Sequence, residues 1–373
     1  MVNPGRNRFA TAGDHPEYPY NQGPTAMRRG ADHNPPNRFE SLHLEPDSDH
    51  VPDPECPDPL PRTRFVHDDS QSILTRNAAE DVAFDLSLNP YRGCEHGCAY
   101  CYARPYHEYL GFSAGLDFES IIVVKADAPA LLEKELSRPR YRPQVVSLSG
   151  VTDCYQPVER RLRLTRGCLE VLARCRHPVF VTTKNFLVTR DIDLLAELAH
   201  HQAAAVFLSI TTLDAAIARD LEPRASTPRA RLEAIRLLAA AGVPVGVGAS
   251  PMIPGLNEHE VSAIIAAAAE AGAGFAMYSM VRLPGAVADV FSAWLDRVHP
   301  SRKEKILARI RETHHGHLNN SIPGERMTGT GPHAQQMHAL FHAAIRRHGL
   351  AASAPALSVA AFRRPAGAQP ELF

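Results

Sequence analysis

The sequence has no apolar run long enough to cross a membrane, which takes about 20 mostly apolar residues. Its two most apolar stretches, residues 239–253 and 264–280, are interrupted by glycine or proline or carry Glu270, and they are better explained as buried core. Residues 1–10 contain no apolar segment of the kind found in secretory signals. We therefore expect a cytoplasmic protein without a membrane partner.

The chain also lacks an excess of charge of either sign. Its 40 Lys and Arg residues and 41 Asp and Glu residues leave a formal net charge of −1. Composition therefore gives no global argument for a nucleic-acid or acidic partner. Arginines cluster at residues 138–142 and 160–166. These clusters could meet a nucleic-acid backbone, but the balanced total charge favours solvated basic faces.

Cysteine is scarce, with seven residues in a chain of 373. A large chain without a visible secretory signal is not expected to form disulfides. Three of the seven, Cys94, Cys98 and Cys101, nevertheless fall within eight residues. This clustering indicates a shared chemical role.

Local patterns divide the chain into three parts. Residues 1–65 are rich in Pro, Asn, Asp, Arg and Gly without periodicity, so we predict an irregular, poorly ordered arm. Residues 66–284 alternate short apolar runs with helical patterns, and residues 285–373 form a helical extension. The predicted strands are 82–88, 121–125, 145–149, 179–183, 205–211, 243–249 and 274–280. The predicted helices are 129–136, 160–175, 192–200, 228–241, 258–271, 287–298, 302–314 and 333–348.

The predicted strands are apolar without alternation, which is typical of parallel strands covered by helices. About six βα units are present, fewer than a complete eight-unit barrel requires. The fold class is therefore α/β, and we predict a partial (β/α)6 TIM-like barrel with an irregular N-terminal arm and a C-terminal helical extension.

The three clustered cysteines lie in a loop after the first predicted barrel strand, at the end where barrel enzymes carry their chemistry. Three thiolates can hold three irons of a cubane cluster and leave the fourth iron open to another ligand. A structural zinc site is the alternative, with Cys154 or His96 as a fourth ligand. The C-x3-C-x2-C spacing favours the iron–sulfur cluster, because zinc sites prefer paired C-x2-C units.

The segment Cys94-x3-Cys98-x2-Cys101, with Tyr100 before the last cysteine, resembles the signature of the radical S-adenosylmethionine superfamily. The wider pattern, from about residue 89 to 284, resembles the branch that contains spore photoproduct lyase and its uncharacterised bacterial relatives. The resemblance implies a [4Fe-4S] cluster whose open iron chelates S-adenosylmethionine. Reductive cleavage would give a 5′-deoxyadenosyl radical that abstracts hydrogen from a substrate, with an electron donor such as flavodoxin or ferredoxin.

The resemblance also implies contacts to S-adenosylmethionine at the strand ends. They would come from Tyr100, Thr152, Asp153, Lys184, Ser209 and Arg224. Each has a simpler explanation: Thr152 and Asp153 can cap a turn, Lys184 can be a solvated loop residue, and Ser209 can bond to backbone. Arg224 can grip a carboxylate or pair with Glu222.

One feature departs from the lyase pattern. The lyase has a hydrogen-donating cysteine at the second strand end, where this sequence has Gly150, while Cys154 lies a few residues further on. Photoproduct repair is therefore in doubt, and a nucleic acid, a modified nucleotide, a peptide or a small metabolite could be the substrate. The competing function is a non-enzymatic zinc module that binds nucleic acid through its arginines. His338 and His342, one helical turn apart, are expected to be ordinary surface or core histidines.

Overall fold

Parallel strands and the helices between them form the centre of the computed structural model, which describes residues 28–40, 61–77, 79–82 and 84–365. The strands are β1 Arg64–His67, β2 Leu74–Arg76, β3 Leu86–Leu88, β4 Tyr91–Arg92, β5 Ile121–Val124, β6 Val146–Leu148, β7 Val179–Thr183, β8 Ala204–Ser209, β9 Val245–Met252 and β10 Phe275–Met280. The α-helices are α1 Leu116–Ser120, α2 Ala128–Ser137, α3 Glu159–Leu162, α4 Leu164–Cys175, α5 Ile192–His200, α6 Ala215–Leu221, α7 Pro228–Ala240, α8 Val261–Glu270, α9 Val287–Val298, α10 Lys303–Glu312 and α11 Gly331–His348.

The main sheet has the strand order β10-β9-β8-β7-β6-β3-β2. All neighbours from β10 to β3 are parallel, and β2 pairs antiparallel with β3 at the edge. Parallel strands linked through helices form a TIM-like barrel when the sheet curls, and six of them make a partial one. The predicted α/β class and partial barrel are confirmed.

The two faces of the main sheet carry different side chains, because successive residues of a strand point to opposite sides. Val181 and Val206 belong to the large apolar core that the sheet forms with its helices. On the opposite face the rings of Phe207 and Phe275 stack with centroids 6.3 Å apart. Gly246 lies beside Phe275 in the register, and an added Cβ would lie 2.3 Å from that ring. Aromatic rings packed on glycine therefore fill the inner face.

A small second sheet supports the cysteine loop. In this sheet β5 pairs parallel with β1 and antiparallel with β4, which ends two residues before Cys94. The extended run predicted at 121–125 therefore lies outside the barrel sheet. The amide of Cys94 donates to the carbonyl of Phe118, at 2.9 Å, and so ties the start of the loop to α1.

The predicted helix 160–175 is broken into α3 and α4 at Arg163, which adopts a left-handed conformation with φ of 53°. The carboxylate of Glu159 accepts the amides of Thr165 at 3.0 Å and Arg166 at 3.3 Å. It thereby satisfies backbone donors that the first turn of α4 would otherwise leave free. The sequence could not reveal this break, because residues 159–166 contain neither a glycine nor a proline that would mark the end of a helix.

The chain after β10 is helical, and α9 has the predicted bounds. The last helix, α11, packs against α8 and so covers part of the barrel. The domain limits at residues 65 and 284 remain predictions. In the described part of the chain, no helix combines the length and apolarity needed to span a bilayer.

Candidate active site

The cysteine loop runs from the end of β4 into a 3-10 turn at Arg104–Tyr106. Cys94 and Cys98 are buried, Cys101 is half-buried, and all three are free thiols. Two backbone hydrogen bonds shape the loop. The amide of Gly97 donates to the carbonyl of Cys94 at 3.4 Å, and the amide of Cys101 donates to the carbonyl of Cys98 at 3.2 Å. The three predicted cluster ligands therefore lie on one tightly turned stretch of backbone.

Burial raises the pKa of all three thiols, and Asp153 raises that of Cys94 further. Opposing this, the cation of Lys184 lowers the pKa of both Cys98 and Cys101. At neutral pH the metal-free thiols therefore keep their protons. Because metals bind thiolates, loading this loop must release protons, and a nearby cation makes that release easier.

A fully buried ion pair lies behind the loop. The ion pair joins Arg104 Nη2 to the carboxylate of Glu119 at 2.5 Å. Arg104 also donates to the carbonyl of Cys98, from Nε at 3.1 Å and from Nη2 at 2.8 Å. Its Nη1 donates to the carbonyls of Ala114 and Gly115. Arg104 therefore fixes the backbone at the central cysteine. Sequence analysis missed it, because no local pattern distinguishes a buried arginine from an exposed one.

Residues 28–40, which we call the strap, lie directly on the cysteine loop. The carboxylate of Glu119 accepts the amides of Gly30 at 3.0 Å and Ala31 at 2.8 Å, and Arg29 donates to the Glu119 carbonyl at 2.6 Å. An added Cβ at Gly30 would lie 1.8 Å from the carbonyl oxygen of Gly97. The strap belongs to the arm predicted as irregular, and residues 1–27 and 41–60 of that arm lie outside the described residues.

The second barrel strand, β6, ends in a backbone turn held by Asn89. Its Oδ1 accepts the consecutive amides of Gly150, Val151 and Thr152, at 3.1, 3.1 and 3.3 Å. The hydroxyl of Thr152 is buried and has no hydrogen-bond partner. A buried hydroxyl without a partner is costly, so this group is available to a ligand.

Asp153 ties two strand ends to the cysteine loop. Its carboxylate accepts Thr183 Oγ1 at 2.7 Å and the Lys184 amide at 2.8 Å, and it lies 3.4 Å from His96 Nδ1. Burial raises the pKa of Asp153, but His96 and the hydrogen bonds outweigh this and lower it to about 2. Its acceptor capacity is therefore largely used by the chain itself.

Lys184 lies beside Tyr100, with Nζ 5.9 Å from the centroid of the ring. Within the described residues its ammonium forms no ion pair. The hydroxyl of Tyr100 is occupied: it donates to the buried Glu222 and lies 3.2 Å from Thr211 Oγ1. The predicted contact residue Tyr100 therefore presents its ring, and Lys184 presents an unpaired cation.

Ser209 and Arg224, the two remaining residues predicted to contact S-adenosylmethionine, differ in whether their side chains already bind the protein. Ser209 is buried at the end of β8, where its carbonyl accepts Arg231 Nη1 at 3.0 Å. Arg224 donates to Glu95, next to the first cluster cysteine, at 2.8 Å. The suggested pairing of Arg224 with Glu222 is wrong, because the buried Glu222 pairs with Arg231 instead.

Several other candidates lie away from the loop. Cys154 is completely buried in the main apolar core, so it cannot replace the hydrogen-donating cysteine of the lyase. His338 and His342 lie on α11 with ring centroids 4.1 Å apart. Among the described His, Cys, Asp and Glu side chains, no three converge on a point that could hold one metal ion. The thiolates of a cubane bind different irons and need not converge in this way.

Comparison with known proteins decides the family. The family model of the radical SAM superfamily matches residues 88–268. An uncharacterised protein of Mycobacterium tuberculosis is 38% identical over 238 residues, which cover 63% of this chain and 68% of that protein. The chain belongs to the radical S-adenosylmethionine superfamily. Its cofactors are those of the superfamily, a [4Fe-4S] cluster and S-adenosylmethionine.

More distant proteins agree on the fold. An uncharacterised protein of Methanocaldococcus jannaschii is 30% identical over 173 residues, 46% of this chain and 62% of that protein. Spore photoproduct lyase complexed with dinucleoside spore photoproduct matches 76% of this chain and 79% of its own, with a TM-score of 0.55 and 14% identity. A mutant of that lyase with bound AdoMet gives a TM-score of 0.53. At this identity the likeness shows the partial barrel alone.

The residues around the loop fit these cofactors. Three free thiols within eight residues suit three irons of a cubane. S-adenosylmethionine carries an amino group, which needs an acceptor, and a carboxylate, which needs a cation. The unpartnered hydroxyl of Thr152 and the unpaired ammonium of Lys184 supply one of each.

We predict that Gly30→Val will weaken the cysteine loop, because the new side chain overlaps the backbone of Gly97. The expected loss of folding stability is about 1–3 kcal/mol, and the reconstituted protein should lose iron faster on desalting. Gly274→Ala is the matched control, since its nearest neighbouring atom is 4.0 Å from an added Cβ. Iron retention equal to that of the wild type would contradict a close contact between strap and loop.

Asp153→Asn should reveal the contribution of the lowered carboxyl pKa. A pKa held near 2 in the folded state, against about 3.9 in the unfolded chain, stabilises the protein by about 2–3 kcal/mol at neutral pH. The stabilisation is present above pH 4 and is lost as the pH falls towards 2. Urea unfolding of both proteins should therefore show a difference at pH 7 that narrows below pH 4. A difference independent of pH would assign the effect to packing.

Proposed function

We propose that the chain is a radical SAM enzyme that holds its cluster on Cys94, Cys98 and Cys101. The observation that carries this is the set of three free, largely buried thiols in one loop at the carboxyl end of β3. When bound, the cluster and S-adenosylmethionine supply a 5′-deoxyadenosyl radical, which abstracts hydrogen from the substrate. The reaction class is hydrogen abstraction, and we expect a lyase-like outcome.

The chain's own residues would orient S-adenosylmethionine. Thr152 Oγ1 would accept from the amino group, and Lys184 would bind the carboxylate through a charge-assisted hydrogen bond. Ser209, whose hydroxyl makes no hydrogen bond with the described residues, would add a third contact.

Tyr100, Asp153 and Arg224 would act as positioning residues, since their polar atoms already bind the protein. Tyr100 would hold its ring under the Lys184 chain. Asp153 would keep in place His96 and Lys184, the first residue of the loop after β7. Arg224 would clamp Glu95 beside the first cysteine. Such contacts order the site before the cofactors arrive.

We also propose a cytoplasmic enzyme that receives electrons from a flavodoxin or a ferredoxin. Repair of a photoproduct by the lyase mechanism is not part of the proposal. That mechanism needs a thiol at the end of the second strand, and this chain has Gly150 there with Cys154 buried in the core.

Cys98→Ala should abolish the cluster. After anaerobic reconstitution the wild type should be brown and should produce 5′-deoxyadenosine with a chemical reductant, while the variant should retain little iron. Cys168→Ala, which removes a buried thiol from α4, is the matched control and should keep both properties. A colourless wild type that retains zinc would support the alternative zinc module and end the radical proposal.

Lys184→Met should weaken binding of S-adenosylmethionine by about tenfold to a hundredfold, the usual value of a hydrogen bond to a charged group. Equilibrium dialysis with the reconstituted enzyme measures the effect. Lys305→Met, on the exposed face of α10, is the control. Wild-type affinity in Lys184→Met would remove this lysine from the cofactor site.

A further inference from the structure

Four aromatic side chains of the described residues are strongly exposed although they lie next to the candidate site. Tyr102, Tyr106 and Tyr109 are 42%, 54% and 65% exposed, and Phe39 is 57% exposed. The three tyrosines follow Cys101 within eight residues. Exposed apolar groups that lie together, rather than singly, are typical of a binding surface.

Two of the tyrosines lie on one side of the segment. Tyr106 and Tyr109 are three residues apart in the 3-10 turns at Arg104–Tyr106 and Glu108–Leu110, and this spacing places them on one face. The other side is occupied, since Arg104, His107 and Leu110 are buried. Tyr102 precedes these turns, and its hydroxyl donates to the carbonyl of Gly150 at 2.8 Å, which fixes its ring beside the end of β6.

The strap extends this row of rings. Asn37 Nδ2 donates to the carbonyl of Glu108 at 3.0 Å, which docks the end of the strap on the tyrosine segment. The Phe39 ring then lies 4.9 Å from that of Tyr109. The guanidinium of Arg38 lies 4.8 Å from the Phe39 ring and 5.3 Å from the Tyr109 ring, and is held by Glu108 at 3.0 Å.

The other end of the row has a second arginine. Arg282 follows β10, and its guanidinium lies 4.6 Å from the centroid of Tyr102. It forms no ion pair with the described residues and is half-buried, while its neighbour Arg326 is neutralised by Asp81. Burial lowers the pKa of Arg282. A desolvated cation without a counter-charge favours an anionic ligand.

We propose that this aromatic strip, formed by Arg282, Tyr102, Tyr106, Tyr109, Phe39 and Arg38, binds a single-stranded nucleic acid as the substrate of the proposed enzyme. Bases would stack on the rings, and a phosphate would meet Arg282, whereas the charge of Arg38 is already paired with Glu108. Aromatic rings between cations are the usual means of binding single strands. The proposal rests on the proposed function only in naming the nucleic acid as the substrate, since Tyr102 directly follows Cys101, one of the three proposed cluster ligands.

A duplex fits the strip poorly, because its bases are stacked on each other and cannot lie on protein rings. Four rings correspond to a site of roughly four nucleotides, at the lower end of the range for single-strand binding folds. A neutral or purely apolar partner would leave Arg282 without a counter-charge. The charge of Arg282 therefore favours an anionic ligand, although the chain as a whole is almost neutral.

Fluorescence anisotropy of the reconstituted holoenzyme tests the proposal, with a labelled twelve-nucleotide oligothymidylate and a duplex of equal length as probes. The single strand should bind more tightly than the duplex. Tyr106→Ala and Tyr109→Ala should each weaken its binding by roughly tenfold, whereas Tyr109→Phe should retain binding because the ring remains. Leu340→Ala, an exposed apolar position on α11, is the matched control and should change nothing.

The charge contribution has its own measurement. Arg282→Gln should make the dependence of log K on log salt shallower by about 0.7, the value for one phosphate contact to a single strand. Equal affinity for duplex and single strand, or unchanged binding by both tyrosine-to-alanine variants, would overturn the proposal.

The radical SAM function and the aromatic strip are separated by a second assay, in which 5′-deoxyadenosine is measured with no oligonucleotide present. A protein that binds the oligonucleotide but forms no 5′-deoxyadenosine refutes the proposed function alone. A protein that forms 5′-deoxyadenosine but does not bind the oligonucleotide refutes the strip alone.

Discussion

The buried ion pair between Arg104 and Glu119 is the interaction on which the cysteine loop depends. Arg104 holds the carbonyl of Cys98 with two donors, and Glu119 binds Arg104 together with two amides of the strap. Loss of one partner of a buried ion pair lowers the folding stability by about 3–5 kcal/mol, because the remaining charge stays buried without water or a counter-charge. The pair therefore makes the loop, α1 and the strap one unit.

Hydrogen bonds at the strand ends extend this order across the barrel. Asn89 fixes the turn after β6, and Asp153 links that turn to the start of the β7 loop. Glu222 joins the hydroxyl of Tyr100 to Arg231. In contrast, Thr152 and Lys184 retain unused polar groups. A rigid frame with a few unsatisfied groups is what recognition of a polar cofactor requires.

Much of the barrel follows from local sequence. β7 and α5 have the predicted bounds because an apolar run and an amphipathic period mark them. The strands β1 and β4 and the helix α1 were missed because they have only two to five residues and depend on tertiary pairing. The cysteine spacing indicated the candidate cluster loop, whose role stays a prediction, but the partner of Arg224 could not be predicted, since Glu95 is remote in sequence. The strap was missed for the same reason: its polar, aperiodic sequence is ordered by contacts with Glu119.

The strap makes the structural unit larger than the barrel. The Gly30 and Ala31 amides precede β3, the first parallel strand of the barrel, by more than fifty residues, yet they donate to the buried carboxylate of Glu119 behind the cysteine loop. A fragment cut at residue 66 would leave Glu119 with Arg104 and without both amides. A fusion or truncation at the apparent barrel border would therefore remove the strap and disturb the cysteine loop, so the smallest transferable unit includes the strap.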